Sequence, residues 1–166
     1  MVLRAVALVG GLSLAVVLSQ FPEYSQQYTQ RLAGAVDELS RVVERFDADA
    51  SELNLTRQIA LSEMAKAGGM AEARAESMQR VFHRHEKLSN DLRALRGKAS
   101  VEKVTYFWRM TDPDVARKAW HDFRPAMPVT MEGIGFGLAG FLAGAGLIGG
   151  LRILLSALPR LRRATV

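Results

Sequence analysis

The sequence predicts an all-α membrane protein, in which two transmembrane helices bracket an extracytoplasmic antiparallel helical hairpin or bundle. Two apolar stretches near the ends of the chain, heptad spacing of apolar residues between them, and the lack of strand-like alternation predict this fold class. The expected divisions are transmembrane helix 1 at 1–20, an extracytoplasmic helical domain at 21–131, transmembrane helix 2 at 132–157 and a basic cytoplasmic tail at 158–166.

The first apolar stretch carries one arginine, Arg4, and then runs without charge from Ala5 to Leu18. Such a stretch is typical of either a cleaved signal peptide or a retained signal anchor. Small residues at every fourth position favour the anchor, because they would form a ridge that a second helix can approach closely. This ridge consists of Ala7, Gly11, Ala15 and Ser19.

The second apolar stretch, 133–151, has 19 residues without charge, of which eight are glycine. As a helix it would cross roughly 30 Å of hydrocarbon. Small residues form two faces, which suit two neighbouring helices because lipid does not itself drive helices together. We expect the first span on one face and another subunit, or a different protein, on the other. The first face holds Gly133, Gly137, Gly140 and Gly144, and the second holds Gly135, Ala139, Ala143, Gly146 and Gly150.

The net charge of +5 is carried by the ends of the chain. Residues 21–131 hold 17 Lys and Arg against 16 Asp and Glu, whereas Arg4, Arg152, Arg160, Arg162 and Arg163 lie outside them. This is the positive-inside pattern of a membrane protein, so the expected partner is a lipid bilayer and not nucleic acid. It predicts that both termini lie in the cytoplasm and that residues 21–131 are extracytoplasmic.

Two long helices are predicted between the spans. The first should run from Pro22 to about Asp47 and the second from about Met70 to Arg96, and each carries a heptad stripe. The stripes pair either within one chain, as an antiparallel hairpin, or between subunits. They consist of Tyr28, Leu32, Ala35, Leu39, Val42 and Phe46 in the first helix, and Met78, Val81, His85, Leu88, Leu92 and Leu95 in the second.

Shorter elements follow from capping residues and turn residues. Asn54 or Thr56 should cap a short helix that ends near Lys66, and Gly68-Gly69 should form a turn. Gly97 should end the second long helix in a left-handed conformation. Further helices are expected after Ser100, after Asp112-Pro113 and after Thr130, with an extended segment at 124–128.

Aromatic residues gather at both junctions with the predicted spans, and arginines follow the second span. Tryptophan and tyrosine favour the headgroup region, where the ring is partly dry and its polar group is hydrated. The predicted membrane-interface residues are Tyr24, Tyr28, Trp108, Trp120, Phe123, Arg160, Arg162 and Arg163.

No pattern of catalytic, cofactor-binding or metal-ligating residues emerges, so we expect a protein that is not an enzyme. His83 and His85 would point to opposite sides of a helix, and His121 should not face its neighbour Asp122. The absence of cysteine excludes disulfides and thiolate chemistry. No ionisable residue lies in the centre of either span, which argues against an ion path.

The residues at both membrane junctions resemble an uncharacterised family of bacterial two-pass inner-membrane proteins, a domain of unknown function. The resemblance covers nearly the whole chain and implies a small helical membrane protein with no known activity. Phe123, where a tyrosine is commoner, and the glycine-rich second span depart from the pattern. The matching residues are Gln20-Phe21-Pro22-Glu23-Tyr24, Gln27-Tyr28, Gln30-Arg31-Leu32, Glu38, Asp112-Pro113, Trp120, Phe123, Met127-Pro128-Val129-Thr130 and Glu132-Gly133.

These observations favour a structural or accessory protein that self-associates through glycine-rich helix packing, or that joins a larger inner-membrane complex. An alternative is a receptor-like periplasmic sensor. Only 15 residues follow Leu151, so such a sensor would need a separate output partner. An enzyme or a transporter is the least favoured class, because the sequence offers no site for either.

Overall fold

The computed structural model describes the backbone of residues 2–125 and 129–163, and the side chains of 5–125, 129–151 and 153. Every regular element in these ranges is helical. The helices are α1 (Val2–Ser19), α2 (Phe21–Glu52), α3 (Arg57–Ala67), α4 (Gly69–Leu95), α5 (Ser100–Val104), a 3₁₀ turn (Phe107–Arg109), α6 (Pro113–Asp122) and α7 (Met131–Arg163). The all-helical prediction is therefore confirmed for the described residues.

Two of the described helical segments are long and apolar enough to cross a membrane. One lies within Ala5–Glu52, near the N-terminus, and the other is Met131–Leu151. Only 11% of the most apolar window of each segment is buried inside the protein. A core helix of a soluble protein would be mostly buried, so this exposure fits a membrane protein.

The chain divides into two compact units. Unit 1 combines the N-terminal residues up to Gln26 with the residues from Phe123 onwards, and unit 2 is Gln27–Asp122. In unit 1, α1 packs along α7. The predicted cap of the second span is confirmed, because the Gly133 amide donates to Thr130 Oγ1 at 3.1 Å. Helix α7 continues to Arg163, past the predicted end of the span at 157, so the predicted tail begins in helical conformation.

Helix α2 is longer than predicted. Only Gln20 separates the first two helices, since α1 ends at Ser19 and α2 starts at Phe21. At the other end the helix continues past Asp47 to Glu52. Burial of Ala50 gives this polar stretch an inward face, and the Asp47 carboxylate accepts hydrogen bonds from Arg57, including one from Nε at 2.7 Å.

The core of unit 2 contains most of both predicted stripes together with residues that the heptad pattern omitted. The Phe46 ring meets the Phe82 ring edge-on at 5.3 Å between centroids, and Ser40 Oγ lies 2.9 Å from His85 Nε2. The pattern missed Val36, Val43 and Ala50, because a straight helix of 3.6 residues per turn drifts away from a 3.5-residue repeat. The buried residues of α2 and α4 include Tyr28, Leu32, Val36, Val43, Ala50, Ala75, Met78, Leu88, Leu92 and Leu95.

Most helix caps and turns lie where the sequence predicts them. Thr56 caps α3 by accepting the Ile59 amide at 3.4 Å, while Asn54 instead adopts a left-handed conformation with φ of 57°. Gly68 and Gly97 also have positive φ, which glycine tolerates without steric strain. The cap predicted at Ser100 is displaced by one residue to Ala99, because Glu102 reaches back to the Ala99 amide at 3.0 Å.

We expect the Asp47→Asn variant to be less stable than the wild type at neutral pH, by up to about 1 kcal/mol for so exposed a pair. Hydrogen bonding to Arg57 lowers the pKa of Asp47 below its ordinary value. The stabilisation by the Asp47–Arg57 ion pair is thus present at pH values above the pKa of Asp47 in the unfolded chain. It is lost as the pH falls through the lower pKa of Asp47 in the folded protein. Circular dichroism of chemical unfolding between pH 7 and pH 2 in detergent measures this.

Asp37→Asn is the matched control, because Asp37 is an exposed aspartate on the same helix. The stability gap between the Asp47→Asn variant and the wild type should close at acidic pH, whereas the control should show no gap at pH 7. A gap of constant size at every pH would contradict the ion-pair explanation.

Candidate functional site

The glycine face of α7 forms the contact with α1. An added Cβ at Gly140 would lie 2.6 Å from the carbonyl oxygen of Leu14, and one at Gly144 would lie 2.8 Å from the carbonyl oxygen of Gly10. Both neighbours are backbone atoms, which cannot move aside as a flexible side chain can. The two backbones therefore approach at a distance that only glycine permits on α7.

The small-residue ridge of α1 lies on the same interface. Gly11 and Ser19 are buried, and Ala7 and Ala15 are half-buried. A Cβ at Gly137 would be 3.5 Å from Ser19 Cβ, so this end of the contact is looser than the part at Gly140. The remaining member of the first face, Gly133, is buried.

The second small-residue face of α7 points away from α1. All five of its residues are exposed: Gly135, Ala139, Ala143, Gly146 and Gly150. An added Cβ at any of its three glycines would meet no atom within 4 Å. Among the described residues, this face therefore has no packing partner that explains its small side chains.

Aromatic rings extend the contact of α1 and α7 beyond the glycines. Phe21 packs on Phe136 with 5.2 Å between ring centroids, and Tyr24 meets Phe123 edge-on at 6.1 Å. Burial raises the pKa of the Tyr24 hydroxyl, because its charged form would lose hydration. Tyr24 and Phe123, both predicted at the membrane interface, are thus brought together within unit 1.

The other predicted interface residues have different surroundings. Trp108 and Trp120 are exposed, by 55% and 69%. Tyr28 is fully buried, which corrects the prediction, since a side chain without exposed surface cannot contact lipid headgroups. Its hydroxyl accepts the Asp112 amide at 3.2 Å. The side chains of Arg160, Arg162 and Arg163, and the predicted extended residues 126–128, lie outside the described part of the chain.

Two buried aspartates organise ion pairs in unit 2. Asp91 accepts from Lys87 Nζ and Arg109 at 3.0 Å each. Asp112 pairs with Arg84 at 3.0 Å and also accepts the Val115 amide, which confirms it as the cap of α6. The sequence reasoning missed the role of Asp91, although its spacing of four from Lys87 was a usable signal. Both aspartates are paired, so removal of either partner would leave a buried charge without compensation.

The histidines do not form a metal centre in the described residues, where no group of three or more potential ligands occurs. His83 is exposed and His85 contacts Ser40. His121 Nδ1 lies 3.2 Å from Asp122 Oδ1, contrary to the expectation that these neighbours would not meet. The two side chains reach each other because both are exposed and can rotate towards a common side.

A cavity of about 450 Å³ opens among α2, α3 and α4 within unit 2. Its wall is apolar, with Phe46, Leu55, Met64 and Met78 among the lining residues. Side chains of both charge signs also line it, namely Arg45, Arg74, Asp49 and Glu63. The formal charges of these four side chains cancel.

The close contact at Gly140 leads us to predict how substitutions on α7 change the stability of the protein. Gly140→Ala should be less stable than Gly149→Ala by about 1–3 kcal/mol, the usual range for overpacking a close contact, because an added Cβ at Gly149 meets no atom within 4 Å and Gly149 lies on neither small-residue face. Both changes add the same methyl group to the same helix, so the helix propensity cancels and their difference measures the contact with Leu14. Thermal unfolding in detergent, followed by circular dichroism, gives the difference. Equal melting temperatures would contradict the close approach.

Comparison with known proteins gives one match. A family profile described as "Protein of unknown function (DUF2937)" matches residues 2–162, which is nearly the whole chain. No curated protein and no solved structure matches. The profile covers α1, unit 2 and α7 together, in agreement with the resemblance noted at the membrane junctions. The chain therefore belongs to the DUF2937 family of proteins of unknown function.

Proposed function

We propose that this chain is a non-enzymatic integral protein of the bacterial inner membrane that acts as a scaffold or accessory subunit and self-associates through α7. The observation that carries the proposal is the exposed second small-residue face of α7, centred on Ala139 and Ala143. In lipid, small residues favour helix association because they permit close backbone contact. The first face is already occupied by α1 of the same chain.

The partner surface that suits this face is α1 of a neighbouring copy. The outward side of α1 is lined by large apolar residues, of which Val9, Val16 and Val17 are each more than 60% exposed. Two small-residue faces can pair with each other, which joins like surfaces. Large side chains on one helix can also pack onto small residues on another, which joins unlike surfaces. Contact of unlike surfaces is head-to-tail and generates a ring or an open array. We therefore propose a homo-oligomer larger than a dimer.

The proposed topology has both termini in the cytoplasm and residues 21–131 in the periplasm. It rests on the sequence positions of Arg4 and of the arginines that follow Leu151. Within the periplasmic segment, α2 and α4 are proposed to form an antiparallel hairpin. The contacts Ser40–His85 and Phe46–Phe82 support it, because the later residue of α2 meets the earlier residue of α4.

Cysteine cross-linking in native membranes tests self-association. The chain has no cysteine, so Ala143→Cys combined with Val9→Cys introduces one thiol on the second face and one on the outward side of α1, which the proposed contact brings together between neighbouring copies. We expect cross-linked species of twice the monomer mass or more. Leu142→Cys combined with Val9→Cys is the matched control, because Leu142 is 63% exposed but lies on neither small-residue face. Equal cross-linking of the two variants would contradict a specific interface on the second face.

Light scattering on the detergent-solubilised protein gives the stoichiometry. The wild type should have more than twice the monomer mass, and Ala139→Leu combined with Ala143→Leu should lower it by blocking close approach. Gly140→Leu combined with Gly144→Leu tests the intrachain face instead. A wild-type monomer would contradict the homo-oligomer, and cross-linking of the Ala143→Cys variant to a different protein would favour the accessory subunit.

A reporter fusion tests the topology. Alkaline phosphatase joined after Gly69, the first residue of α4, should be active, because this enzyme folds only where disulfides form. The matched control is the same reporter joined after Val166, which should be inactive. An inactive but stable fusion after Gly69 would contradict the periplasmic assignment.

A further inference from the structure

An exposed aromatic face stands out on the surface of unit 2. It consists of Val101 and Val104 on α5 together with Phe107 and Trp108 of the following 3₁₀ turn. Their exposed fractions are 62%, 43%, 63% and 55%. Four apolar side chains within eight residues form a local patch of the kind that marks an interaction site.

The face is held firmly in place from behind. Arg109, which ends the 3₁₀ turn, pairs with the buried Asp91 of α4 at 3.0 Å, and Met110 is buried. Glu102 accepts the Ala99 amide at the start of α5. Phe107 and Trp108 also pack edge-on against each other at 5.8 Å. The apolar side chains are therefore presented outward by a fixed backbone.

Positive charge is concentrated around the same segment. Residues 93–109 hold five cations and one acidic residue, whereas the rest of residues 21–131 holds 12 Lys and Arg against 15 Asp and Glu. Arg109 is paired with Asp91 and Lys103 is buried. None of the other three cations pairs with a carboxylate within the described residues. These are Arg93, Arg96 and Lys98, of which Lys98 lies 4.6 Å from the centre of the Tyr106 ring.

We propose that the exposed aromatic face, together with Arg96 and Lys98 just before it in the chain, binds the anionic headgroup region of a lipid bilayer. Tryptophan and phenylalanine insert at the boundary between headgroups and acyl chains, while neighbouring cations contact anionic headgroups. Val101 and Val104 favour lipid over single-stranded nucleic acid, because aliphatic side chains provide no ring on which a base can stack.

The proposed membrane insertion of α7 supports this assignment, and the inference rests on it. Only 22 residues separate Trp108 from Met131, the first residue of α7. A bilayer that contains α7 is therefore present at high effective concentration for the aromatic face. Even a weak affinity for lipid would then hold the face on the surface for much of the time.

Tryptophan fluorescence of the full chain in nanodiscs tests the proposal. The chain has two tryptophans, so Trp120→Phe leaves Trp108 as the sole reporter. In discs containing brominated phosphatidylglycerol, the emission should shift to shorter wavelength and be quenched relative to unbrominated discs. Zwitterionic discs should give weaker quenching, and Arg96→Gln with Lys98→Gln should weaken the contact about fivefold for each charge removed.

Arg45→Gln with Arg74→Gln is the matched charge control, because these exposed arginines lie elsewhere in unit 2, and it should leave the quenching unchanged. Quenching that is insensitive both to lipid charge and to Arg96→Gln with Lys98→Gln would overturn the anionic assignment. A Trp108 signal that responds to a single-stranded oligonucleotide and not to lipid would overturn the choice of bilayer.

A second reporter separates this inference from the proposed membrane insertion. Leu138→Trp, in a chain with Trp108→Phe and Trp120→Phe, places the sole tryptophan on α7. If this reporter is quenched while Trp108 is not, the inference fails and membrane insertion stands. If neither tryptophan is quenched, both the inference about the aromatic face and the proposed membrane insertion fail.

Discussion

The close backbone contact between α1 and α7 is the constraint on which unit 1 depends. At Gly140 and Gly144 the helices approach until only hydrogen atoms separate α7 from the carbonyls of α1. This packing, extended by Phe21–Phe136 and Tyr24–Phe123, holds together two stretches that are far apart in sequence. The ends of the segment between them are thereby held close, which removes much of the entropy that such a long loop would otherwise have.

The two small-residue faces of α7 have different surroundings. Glycine destabilises a helix in water. Eight glycines in 19 residues are therefore expected where the helix backbone closely approaches another backbone. One face meets that condition within the chain, through contact with α1. The other face has no packing partner among the described residues, and the proposed intermolecular contact rests on that observation.

Unit 2 combines an apolar core with a small number of buried carboxylates. Asp91 and Asp112 are each almost fully buried and each is paired with an arginine. Removal of one partner from such a pair leaves an uncompensated charge, so the pairs fix which helices and turns lie together. Through Arg109, Asp91 also orients the segment that exposes Phe107 and Trp108. The ion pair between Asp91 and Arg109 therefore links this exposed segment to α4.

The sequence by itself determined the helical class, the two apolar helices, and most caps and turns, because periodicity, Thr56, Gly97 and Asp112-Pro113 act over a few residues. It also revealed the small-residue faces, since these follow from helical spacing alone. Only the tertiary structure decided which face α1 occupies, that Tyr28 is buried against Asp112, and that Asp91 joins α4 to Arg109. These outcomes depend on contacts between residues distant in sequence, for which a local pattern carries no information.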